Sequence, residues 1–412
     1  MKEIFKMKNI KIIGIIKYSV IILWSLTTLV NASYLNISSK YKNERSGSKS
    51  FVGQIFKSEK RSWIDDSTGY EITQWTSTGK NWHLYFNIES FINDSNVIIY
   101  SNRTGRINIF KLNLDDGKIT QMTADSYIKP ESWHLSKYKT LWYLNSDTLK
   151  ELNTETFQTT NIYVFKAQKP VSFSVTCDAK YFVYASNKNK DHSENCSSGP
   201  YAIFKLNLST KKITQISPDY GFKISHILCN PANPDIISYC WQHVFKENRP
   251  GLLGLPPIRI WWVNIDGTNG GPIEQEYGIH RTHEFWFPDG KELGFSARYK
   301  FGANNGKQFF GAADYTNASH YMMSANVEAA HLQIYSGGKY WVTDTFNGPY
   351  LVLFNVEDKK IISAKTLYKH NSDWSNSASE PCPQFSPDGK YIIFNTDRSG
   401  ETQVYSVKVN LK

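Results

Sequence analysis

The sequence lacks the motifs that mark nucleotide-binding enzymes and serine hydrolases. It has no Gly-rich phosphate loop after a strand and no helical segment to cap one, which argues against a nucleotide ligand. It has no Gly-x-Ser-x-Gly motif, so a hydrolase or peptidase with a Ser-based triad is disfavoured. No Pro/Ser-rich or charged low-complexity run divides the chain, and its 412 residues therefore predict one main domain without an internal linker.

Cysteine is scarce, with five residues in the chain. Because that number is odd, one thiol should stay outside any disulfide pairing. Spacing favours a Cys177–Cys196 pair and a Cys229–Cys240 pair, since each pair flanks an expected strand-turn-strand unit. Cys382 is then the predicted free thiol.

A long apolar run occurs near the N-terminus. Five lysines, Lys2, Lys6, Lys8, Lys11 and Lys17, precede an apolar stretch from Tyr18 to Val30, and Val30-Asn31-Ala32 supplies small or apolar residues suited to signal peptidase. Residues 1–32 are therefore predicted to be a signal peptide, 33–60 a flexible leader and 61–412 the folded domain, and the protein is expected to be secreted. An uncleaved membrane anchor is the alternative, although the apolar run is short for a membrane span.

Acidic residues are fewer than basic residues. The chain has 47 Lys and Arg against 37 Asp and Glu, a formal charge of +10 that falls by four to +6 when residues 1–32, with five Lys and one Glu, are removed. A basic surface can bind nucleic acid, anionic membrane or acidic polysaccharide, and secretion favours the polysaccharide. We therefore expect an acidic oligosaccharide partner and no nucleic acid, with membrane contact only if the N-terminal segment stays uncleaved.

A repeating unit fills the rest of the chain. Each copy reads as a tight polar turn, an aromatic or β-branched strand, a second turn and another strand of the type Ile-Phe-Lys-Leu-Asn-Leu. Seven copies recur every roughly 40 to 60 residues, which is typical of four-stranded propeller blades. The sequence thus predicts an all-β, seven-bladed β-propeller, with a β-sandwich as the alternative. The opening turns lie near Asn93-Asp94, Lys137-Tyr138, Asp178-Ala179, Asn230-Pro231, Pro288-Asp289-Gly290, Gly337-Gly338 and Pro387-Asp388-Gly389.

The two ends of the chain predict how the propeller closes. Complete repeats finish with a short outer strand, as in 117–123 and 211–217, but the last repeat has none before the chain stops. A matching strand at 69–76 stands alone ahead of the first repeat. We expect this N-terminal strand to pair with the C-terminal blade and to leave no unpaired inner edge.

Candidate functional residues stand near the opening turns, on the innermost part of each blade. Equivalent positions in successive blades converge on one axis, so residues distant in sequence become neighbours. A set with histidines, a carboxylate and a thiol has the donor atoms of a metal site. For any one of these residues alone, a hydrogen-bonded turn residue is the simpler interpretation. The candidates are Trp82, His83, His226, His283, His331, Glu380 and Cys382.

The segment around His283 resembles a signature of the oligogalacturonate lyases, seven-bladed propeller enzymes that act on short pectin fragments. The similar run is Thr282-His283-Glu284-Phe285-Trp286, followed by Pro288-Asp289-Gly290. The resemblance extends over about Trp63 to Val409. Other similar segments are Ala330-His331-Leu332, Lys369-His370-Asn371-Ser372-Asp373-Trp374, the strand from Arg259-Ile260-Trp261 to Asp266-Gly267, and Tyr85-Phe86 with Ser90-Phe91.

This resemblance implies a manganese ion held by one histidine, a glutamine and the two histidines of a His-Pro-His-Pro run. His283 matches the first of these ligands. The paired histidines fall on Glu380 and Cys382, and the glutamine falls near Ser377. A carboxylate suits manganese, whereas a thiolate moves the preference toward zinc. We expect a divalent metal at His283, Glu380 and Cys382, with manganese favoured over zinc.

The implied reaction is β-elimination, which removes the C5 proton of a uronate and expels the C4 oxygen. A metal or cationic residues must neutralise the carboxylate and the developing enolate, and a neutral histidine can act as general base. His226 and His243 are the candidate bases, while Arg249 and Arg281 are candidate carboxylate clamps. The tryptophans among the candidate substrate contacts could equally be core packing. Those contacts are Trp82, His83, Trp241, Trp286 and His331.

Two functions remain open from the sequence. The first is a secreted lyase that cleaves uronic-acid oligosaccharides by metal-assisted β-elimination. The second is a secreted propeller of the same descent that has lost catalysis and binds acidic glycans or a protein partner. The altered metal ligands make the second a serious alternative.

Overall fold

Seven antiparallel sheets form the seven blades of a β-propeller. The computed structural model describes residues 52–135, 140–189, 198–242, 258–276, 278–300, 305–316, 319–346 and 348–411. Within these ranges each blade uses strands that follow one another in sequence, except that the N-terminal strands add to the outer edges of the first and last blades. The predicted fold class and blade number are confirmed.

The first three blades follow three short strands. Those strands are β1 (Ile55–Phe56), β2 (Arg61–Ile64) and β3 (Glu71–Gln74). Blade 1 contains β4 (Asn81–Trp82), β5 (Asn96–Ser101), β6 (Asn108–Asn113) and β7 (Ile119–Gln121). Blade 2 contains β8 (Ile128–Leu135), β9 (Thr140–Asn145), β10 (Thr148–Asn153) and β11 (Thr159–Val164). Blade 3 contains β12 (Ser172–Val175), β13 (Tyr181–Asn187), β14 (Ser198–Asn207), β15 (Ile213–Gln215) and β16 (Tyr220–Phe222).

The remaining four blades repeat this order. Blade 4 contains β17 (Ile224–Cys229), β18 (Ile236–Trp241), β19 (Ile260–Asn264) and β20 (Gly270–Pro272). Blade 5 contains β21 (Ile279–Trp286), β22 (Glu292–Tyr299), β23 (Gln308–Asp314) and β24 (His320–Ser324). Blade 6 contains β25 (Ala329–Tyr335), β26 (Tyr340–Thr345), β27 (Tyr350–Glu357) and β28 (Lys360–Lys369). Blade 7 contains β29 (Gln384–Phe385), β30 (Tyr391–Thr396) and β31 (Gln403–Lys408). Short 3-10 turns occur at Ser336–Gly338 and Ser377–Ser379.

The N-terminal strand β3 completes blade 7. It pairs antiparallel with β31, with Ile72 opposite Val407, and β2 adds a further strand outside it. The indole Nε1 of Trp75 donates a hydrogen bond to Ser406 Oγ at 2.9 Å across this junction. The predicted pairing of the two chain ends is therefore confirmed, and it ties the first and last blades together.

The opening turns lie where the repeats place them. Six of the seven predicted turns are described, and each connects the first and second strands of its blade; the seventh, Lys137-Tyr138, lies outside the described residues. In the two Pro-Asp-Gly turns the glycines have φ of 71° at Gly290 and 68° at Gly389, a region that favours glycine. The aspartate before each glycine accepts a hydrogen bond from the backbone N–H of the lysine after it, Lys291 or Lys390, which fixes these turns.

Part of the predicted flexible leader is an ordered strand. Residues 33–60 include β1, which pairs with β7 through Ile55 opposite Thr120 and adds a fifth strand to blade 1. Gly53 also donates a backbone hydrogen bond to Gln121 at 2.9 Å. The folded domain therefore begins before residue 61, because the outer edge of blade 1 offers free backbone groups for pairing.

Large aromatic side chains fill the space between neighbouring blades. Between blades 5 and 6, the ring of Phe310 lies 5.1 Å from that of Trp341 and 4.8 Å from that of Phe354, measured between centroids. All three are almost completely buried. Burial of such rings between facing sheets explains why the chain carries 12 Trp, 25 Tyr and 23 Phe.

The predicted Cys229–Cys240 disulfide is wrong, since both residues are buried free thiols. In the β17–β18 hairpin Cys229 lies opposite Ile237, whereas Cys240 lies opposite Ser225 near the other end of the hairpin. Spacing in the sequence placed the two thiols on neighbouring strands but not at facing positions. Cys196, the predicted partner of Cys177, lies outside the described residues.

Within the described ranges, no helix has the length and apolarity needed to cross a membrane. The predicted signal peptide and its anchor alternative both fall on residues 1–32, outside the described part of the chain.

Candidate active site

Bulges on three successive inner strands position the candidate histidines. β17, β21 and β25 each set two residues opposite a single residue of the next strand, at His226-Ile227, His283-Glu284 and Ala330-His331. A bulge of this kind bends the strand and re-aims its side chains. His226 and His283 have φ of 52° and 54°, in the left-handed region that non-glycine residues rarely adopt. The same local distortion is thus repeated in neighbouring blades.

His331 lies at the centre of the first group of side chains. Its Nδ1 is 2.8 Å from Oδ2 of Asp344, and its Nε2 is 3.5 Å from Oε2 of Glu380. Cys382 completes the group, and the donor atoms of His331, Glu380 and Cys382 lie within 4.8 Å of one another. Burial alone lowers the pKa of His331, but the Asp344 carboxylate, helped by Glu380, outweighs it and raises that pKa above its ordinary value.

His283 borders this group without being part of it. Its ring centroid is 4.7 Å from that of His331, and its Nδ1 is 3.1 Å from the hydroxyls of both Thr282 and Ser296. Burial, reinforced by the positive charges of His331 and Arg259, holds the pKa of His283 well below its usual range. His283 is therefore neutral and available as a hydrogen-bonding or metal-binding imidazole.

A second group of side chains surrounds the buried carboxylate of Glu284. His226 Nδ1 is 2.7 Å from Glu284 Oε1, and Arg259 Nη2 is 3.7 Å from Oε2. Burial alone raises the pKa of Glu284, but the neighbouring His226 and Arg259 outweigh burial, and the net pKa is well below the usual range. Cys240 also lies within 4.8 Å of His226 and Glu284. Burial raises the pKa of this thiol to about 12, so it stays protonated.

Tyr85 joins the two groups. Its ring centroid is 4.9 Å from that of His331 and 6.1 Å from that of His226. Burial raises the pKa of Tyr85, and the charges of Glu380 and Glu284 raise it further, so the phenol stays protonated. Both groups of side chains therefore face one site, which the first strands of blades 4 to 6 build together with residues of their neighbouring strands and loops.

Aromatic rings form one edge of the site. The ring of Trp374 stacks on His331 at 5.4 Å with an interplanar angle of 14°, and Phe346 lies 5.2 Å from Trp374. Phe346 also contacts His283 at 5.5 Å between centroids, yet 51% of its surface is exposed. A half-exposed ring beside a buried polar cluster is suited to contact with one face of a sugar.

Two of the predicted substrate contacts lie in the core instead. Trp82 is 4% exposed and packs against Tyr100 at 5.1 Å between centroids. His83 is 1% exposed, and burial lowers its pKa to about 3. Burial leaves little of either ring accessible to a sugar, and the His83 backbone is hydrogen-bonded to Asn395 of blade 7.

Two other predicted tryptophans serve partly as packing. Trp241 stacks on Trp261 with centroids 4.2 Å apart and an interplanar angle of 13°. Trp286 donates a hydrogen bond from Nε1 to the carbonyl of Leu228 at 3.2 Å, which ties blade 5 to blade 4. Both are half-buried, and neither contacts the histidines described above.

The predicted carboxylate clamp Arg281 is a buried structural residue. It is completely buried, it donates a hydrogen bond to the carbonyl of Glu274 at 2.6 Å, and its guanidinium lies 4.3 Å from the ring of Phe295. Burial lowers its pKa to about 10. His243 and Arg249, the second base and the second clamp, lie outside the described residues.

Sequence reasoning missed several residues of the site. Arg259 begins a segment that resembles the oligogalacturonate lyases, but the sequence predicts no role for it, although its Nη2 lies 3.7 Å from Glu284 Oε2. Asp344 lies in the buried strand β26 and is itself completely buried. A carboxylate in such a strand is a signal that a polar or charged group is paired with it. Trp374 ends one of the segments that resemble the oligogalacturonate lyases, which is a signal for it, whereas no pattern in the sequence distinguishes Phe346 from the many aromatic residues of the core.

The architecture and the arrangement of the site invite comparison with known propellers. The resemblance is to oligogalacturonate lyases. The chain is 24% identical over 386 residues to the oligogalacturonate lyase of Dickeya dadantii, across 84% of this chain and 95% of that protein. It is 23% identical over 386 residues to the oligogalacturonide lyase of Pectobacterium atrosepticum, again across 84% of this chain and 95% of that protein. No protein-family model matches the chain.

Solved structures of oligogalacturonate lyases share the fold. One of them, in complex with manganese, superposes with a TM-score of 0.77 at 21% identity and covers 87% of this chain and 98% of its own. A second, from Vibrio parahaemolyticus, superposes with a TM-score of 0.76 at 21% identity and covers 87% of this chain and 99% of its own. The resemblance to oligogalacturonate lyases that the His283 segment indicated is therefore confirmed along most of the chain.

Proposed function

We propose that this protein is a polysaccharide lyase that cleaves uronic-acid oligosaccharides, similar to oligogalacturonate, by β-elimination. The observation that carries the proposal is the convergence of two polar groups on one site, with His331, Glu380 and Cys382 on one side and His226 with Glu284 on the other. The relatives named as oligogalacturonate or oligogalacturonide lyases support the substrate class.

The residues present fit a divalent metal ion. His331, Glu380 and Cys382 supply one nitrogen, one oxygen and one sulfur donor, all within 4.8 Å of one another, and neutral His283 lies directly beside them. A bound ion there supplies positive charge that neutralises a substrate carboxylate and the enolate that develops from it. The manganese in the similar oligogalacturonate lyase structure supports a divalent ion as the cofactor.

Among the described residues, we propose Arg259 as the side chain that binds the substrate carboxylate. Burial alone lowers its pKa, but Cys240 and Glu284 raise it, so the guanidinium keeps its charge inside the site. Its Nη1 donates a hydrogen bond to Gln242 Oε1 at 3.3 Å, which orients the group. Arginine binds carboxylates through two parallel N–H groups, so Arg259 can fix the uronate ring against the half-exposed ring of Phe346.

His226 is the favoured general base. Its Nδ1 faces the Glu284 carboxylate at 2.7 Å, and its side chain keeps 23% of its surface exposed. When Nδ1 carries the proton toward Glu284, Nε2 has a lone pair that can accept the C5 proton of the substrate. The C5–H electrons then form the C4–C5 double bond, the C4–O bond breaks, and the departing oxygen takes up a proton. His243 remains the second candidate base.

The alternative function is a non-catalytic propeller that binds acidic glycans or a protein partner. It is favoured by Glu380 and Cys382, which stand where the resemblance implies two histidines. Turnover distinguishes the two functions, because a binding protein retains the oligosaccharide unchanged.

We also propose that the protein is secreted and that residues 1–32 are removed. The basic and then apolar N-terminal sequence supports this proposal. N-terminal sequencing of the mature protein from the culture medium tests it. A protein that stays with the membrane fraction and retains residues 1–32 supports the anchor instead.

The test of activity is the ultraviolet absorbance of the unsaturated uronate product. Purified protein is incubated with oligogalacturonates after treatment with chelator and after addition of manganese or zinc. A metal-dependent rise that chelator abolishes supports the lyase. If no metal produces a rise with any uronate, while calorimetry detects oligosaccharide binding, the non-catalytic propeller is the better account.

A further inference from the structure

Among His331, Glu380 and Cys382, the carboxylate of Asp344 holds two residues in place, His331 and Cys382. Its Oδ1 accepts the backbone N–H of His331 at 2.8 Å, and its Oδ2 lies 2.8 Å from His331 Nδ1. The same Oδ2 accepts the backbone N–H of Cys382 at 3.1 Å. One completely buried side chain thus fixes the imidazole of blade 6 and the thiol-bearing segment ahead of blade 7.

This arrangement matches the surroundings of a zinc ligand. A metal-bound histidine commonly donates its other ring N–H to a carboxylate, which fixes the tautomer and leaves the remaining nitrogen for the metal. With Nδ1 directed at Asp344, His331 presents Nε2 toward Glu380, 3.5 Å from its Oε2. Donor atoms of a tetrahedral zinc site are roughly 3.5 Å apart, since each lies about 2.0 to 2.3 Å from the ion.

We propose that His331, Glu380 and Cys382 form a zinc-preferring site in which Asp344 is the positioning residue. The inference rests on the proposed function in placing the metal at that site, but it assigns His331 rather than His283 as the third ligand. Sulfur and nitrogen donors favour zinc over manganese, which prefers oxygen ligands. A deprotonated thiol and the Glu380 carboxylate together balance the two positive charges of the ion.

Competitive metal loading tests the preference without reference to activity. Metal-free protein is dialysed against equal concentrations of manganese and zinc, and the bound metal is determined by elemental analysis. We expect zinc at about one equivalent and at least tenfold less manganese. Predominant manganese overturns the proposal.

Cobalt substitution tests the ligands. Bound Co²⁺ should show the near-ultraviolet charge-transfer band of a cobalt–thiolate bond, and Cys382→Ser should abolish it. Cys229→Ser is the matched control, because Cys229 is another buried thiol outside both groups, and it should keep the band. If Cys240→Ser instead removes the band, the ion lies beside His226 and Glu284 and the proposal is wrong.

Two further variants keep the test decisive if Cys382→Ser fails to fold. Glu380→Gln alters a partly exposed ligand and should weaken zinc binding while the cobalt–thiolate band persists at higher cobalt. Asp344→Asn should weaken zinc binding about 10- to 100-fold, the usual effect of losing a carboxylate behind a ligating histidine. Unchanged zinc affinity in both variants contradicts the site. If zinc binds as expected but no oligosaccharide is cleaved, the proposed function fails while this inference stands.

Discussion

Four residues of the candidate site adopt backbone conformations that are unfavourable for them. His226, His283, Trp374 and Cys382 have φ of 52°, 54°, 57° and 47°. A non-glycine residue in this region costs on the order of 1 to 3 kcal/mol, and such residues cluster at functional sites. The surrounding blades must hold these residues in place, because their own backbone preference does not.

The role of His226 can be tested by His226→Gln. Removing a general base should lower kcat by about 10²- to 10⁴-fold and leave substrate binding nearly unchanged. His320→Gln is the matched control, because His320 is exposed on β24, and it should retain full activity. Product absorbance gives kcat, and calorimetry gives the dissociation constant of an uncleaved oligosaccharide. Full activity in His226→Gln would transfer the role to another residue, with His243 the next to test.

The two arginines should behave differently when their charge is removed. Arg259→Met should lower kcat/KM about 10- to 100-fold, because a charge-assisted contact with the substrate carboxylate is lost. Arg259→Lys should recover only part of this, since an ammonium cannot bind a carboxylate through two parallel N–H groups. Arg281→Met, measured per folded enzyme, should stay within about twofold of the parent because Arg281 is completely buried away from the site. A larger loss of kcat/KM in Arg281→Met than in Arg259→Met would restore Arg281 as the carboxylate clamp.

At the scale of strands, the closing strand β3 depends on one well-buried side chain. Ile72 is completely buried in a cluster with Phe394, Tyr405 and Val407. Ile72→Ala should lower the free energy of unfolding by about 2 to 5 kcal/mol, the usual cost of an isoleucine truncation in a core. Ile64→Ala on the neighbouring strand β2 is the control, because Ile64 is 60% exposed, and it should change stability by less than about 0.5 kcal/mol. Urea unfolding measures both, and equal stability of the two variants would mean that the closure contributes little.

The strands show which features a sequence pattern can predict. The repeated turns and the unpaired strand at 69–76 were sufficient to predict seven blades and their closure, because alternating side chains and turn residues are local signals. The bulges in β17, β21 and β25 have no such signal, because these largely buried strands lack the regular apolar–polar alternation that an extra residue would interrupt. The same limit explains the wrong disulfide, because facing positions of Cys229 and Cys240 depend on the register of the hairpin.

The site required more than strand patterns. His226, His283, His331, Glu380 and Cys382 could be proposed from the sequence because they occupy similar places in successive repeats, and their side chains do converge. Their partners could not, because contacts between blades depend on how seven sheets pack around one axis. Trp82 and His83 occupy the same place in the first repeat, yet both are buried in the core, so position in the repeat alone does not make a residue accessible.

At the scale of the whole molecule, four buried or half-buried histidines with lowered pKa values predict sensitivity to acid. Burial lowers the pKa of His83 and His280 to about 3 and that of His134 and His370 to about 4. In the unfolded chain a histidine takes up its proton near pH 6.5. Between that pH and their folded pKa values, these four residues bind protons only when the protein unfolds.

Stability should therefore fall as the pH drops below about 6.5. Where the unfolded state binds more protons, the free energy of unfolding decreases with decreasing pH, by up to about 1.4 kcal/mol per pH unit for each such histidine. Urea unfolding between about pH 7.5 and pH 5 should show a loss of several kcal/mol, and stability should be steady above about pH 7 as far as these residues are concerned. His83→Gln should make the slope shallower by about one proton, whereas the exposed-site control His320→Gln should leave it unchanged. A free energy of unfolding that stays constant from pH 7.5 to pH 5 would contradict the burial of neutral imidazoles, because proton uptake on unfolding cannot occur without a dependence on pH.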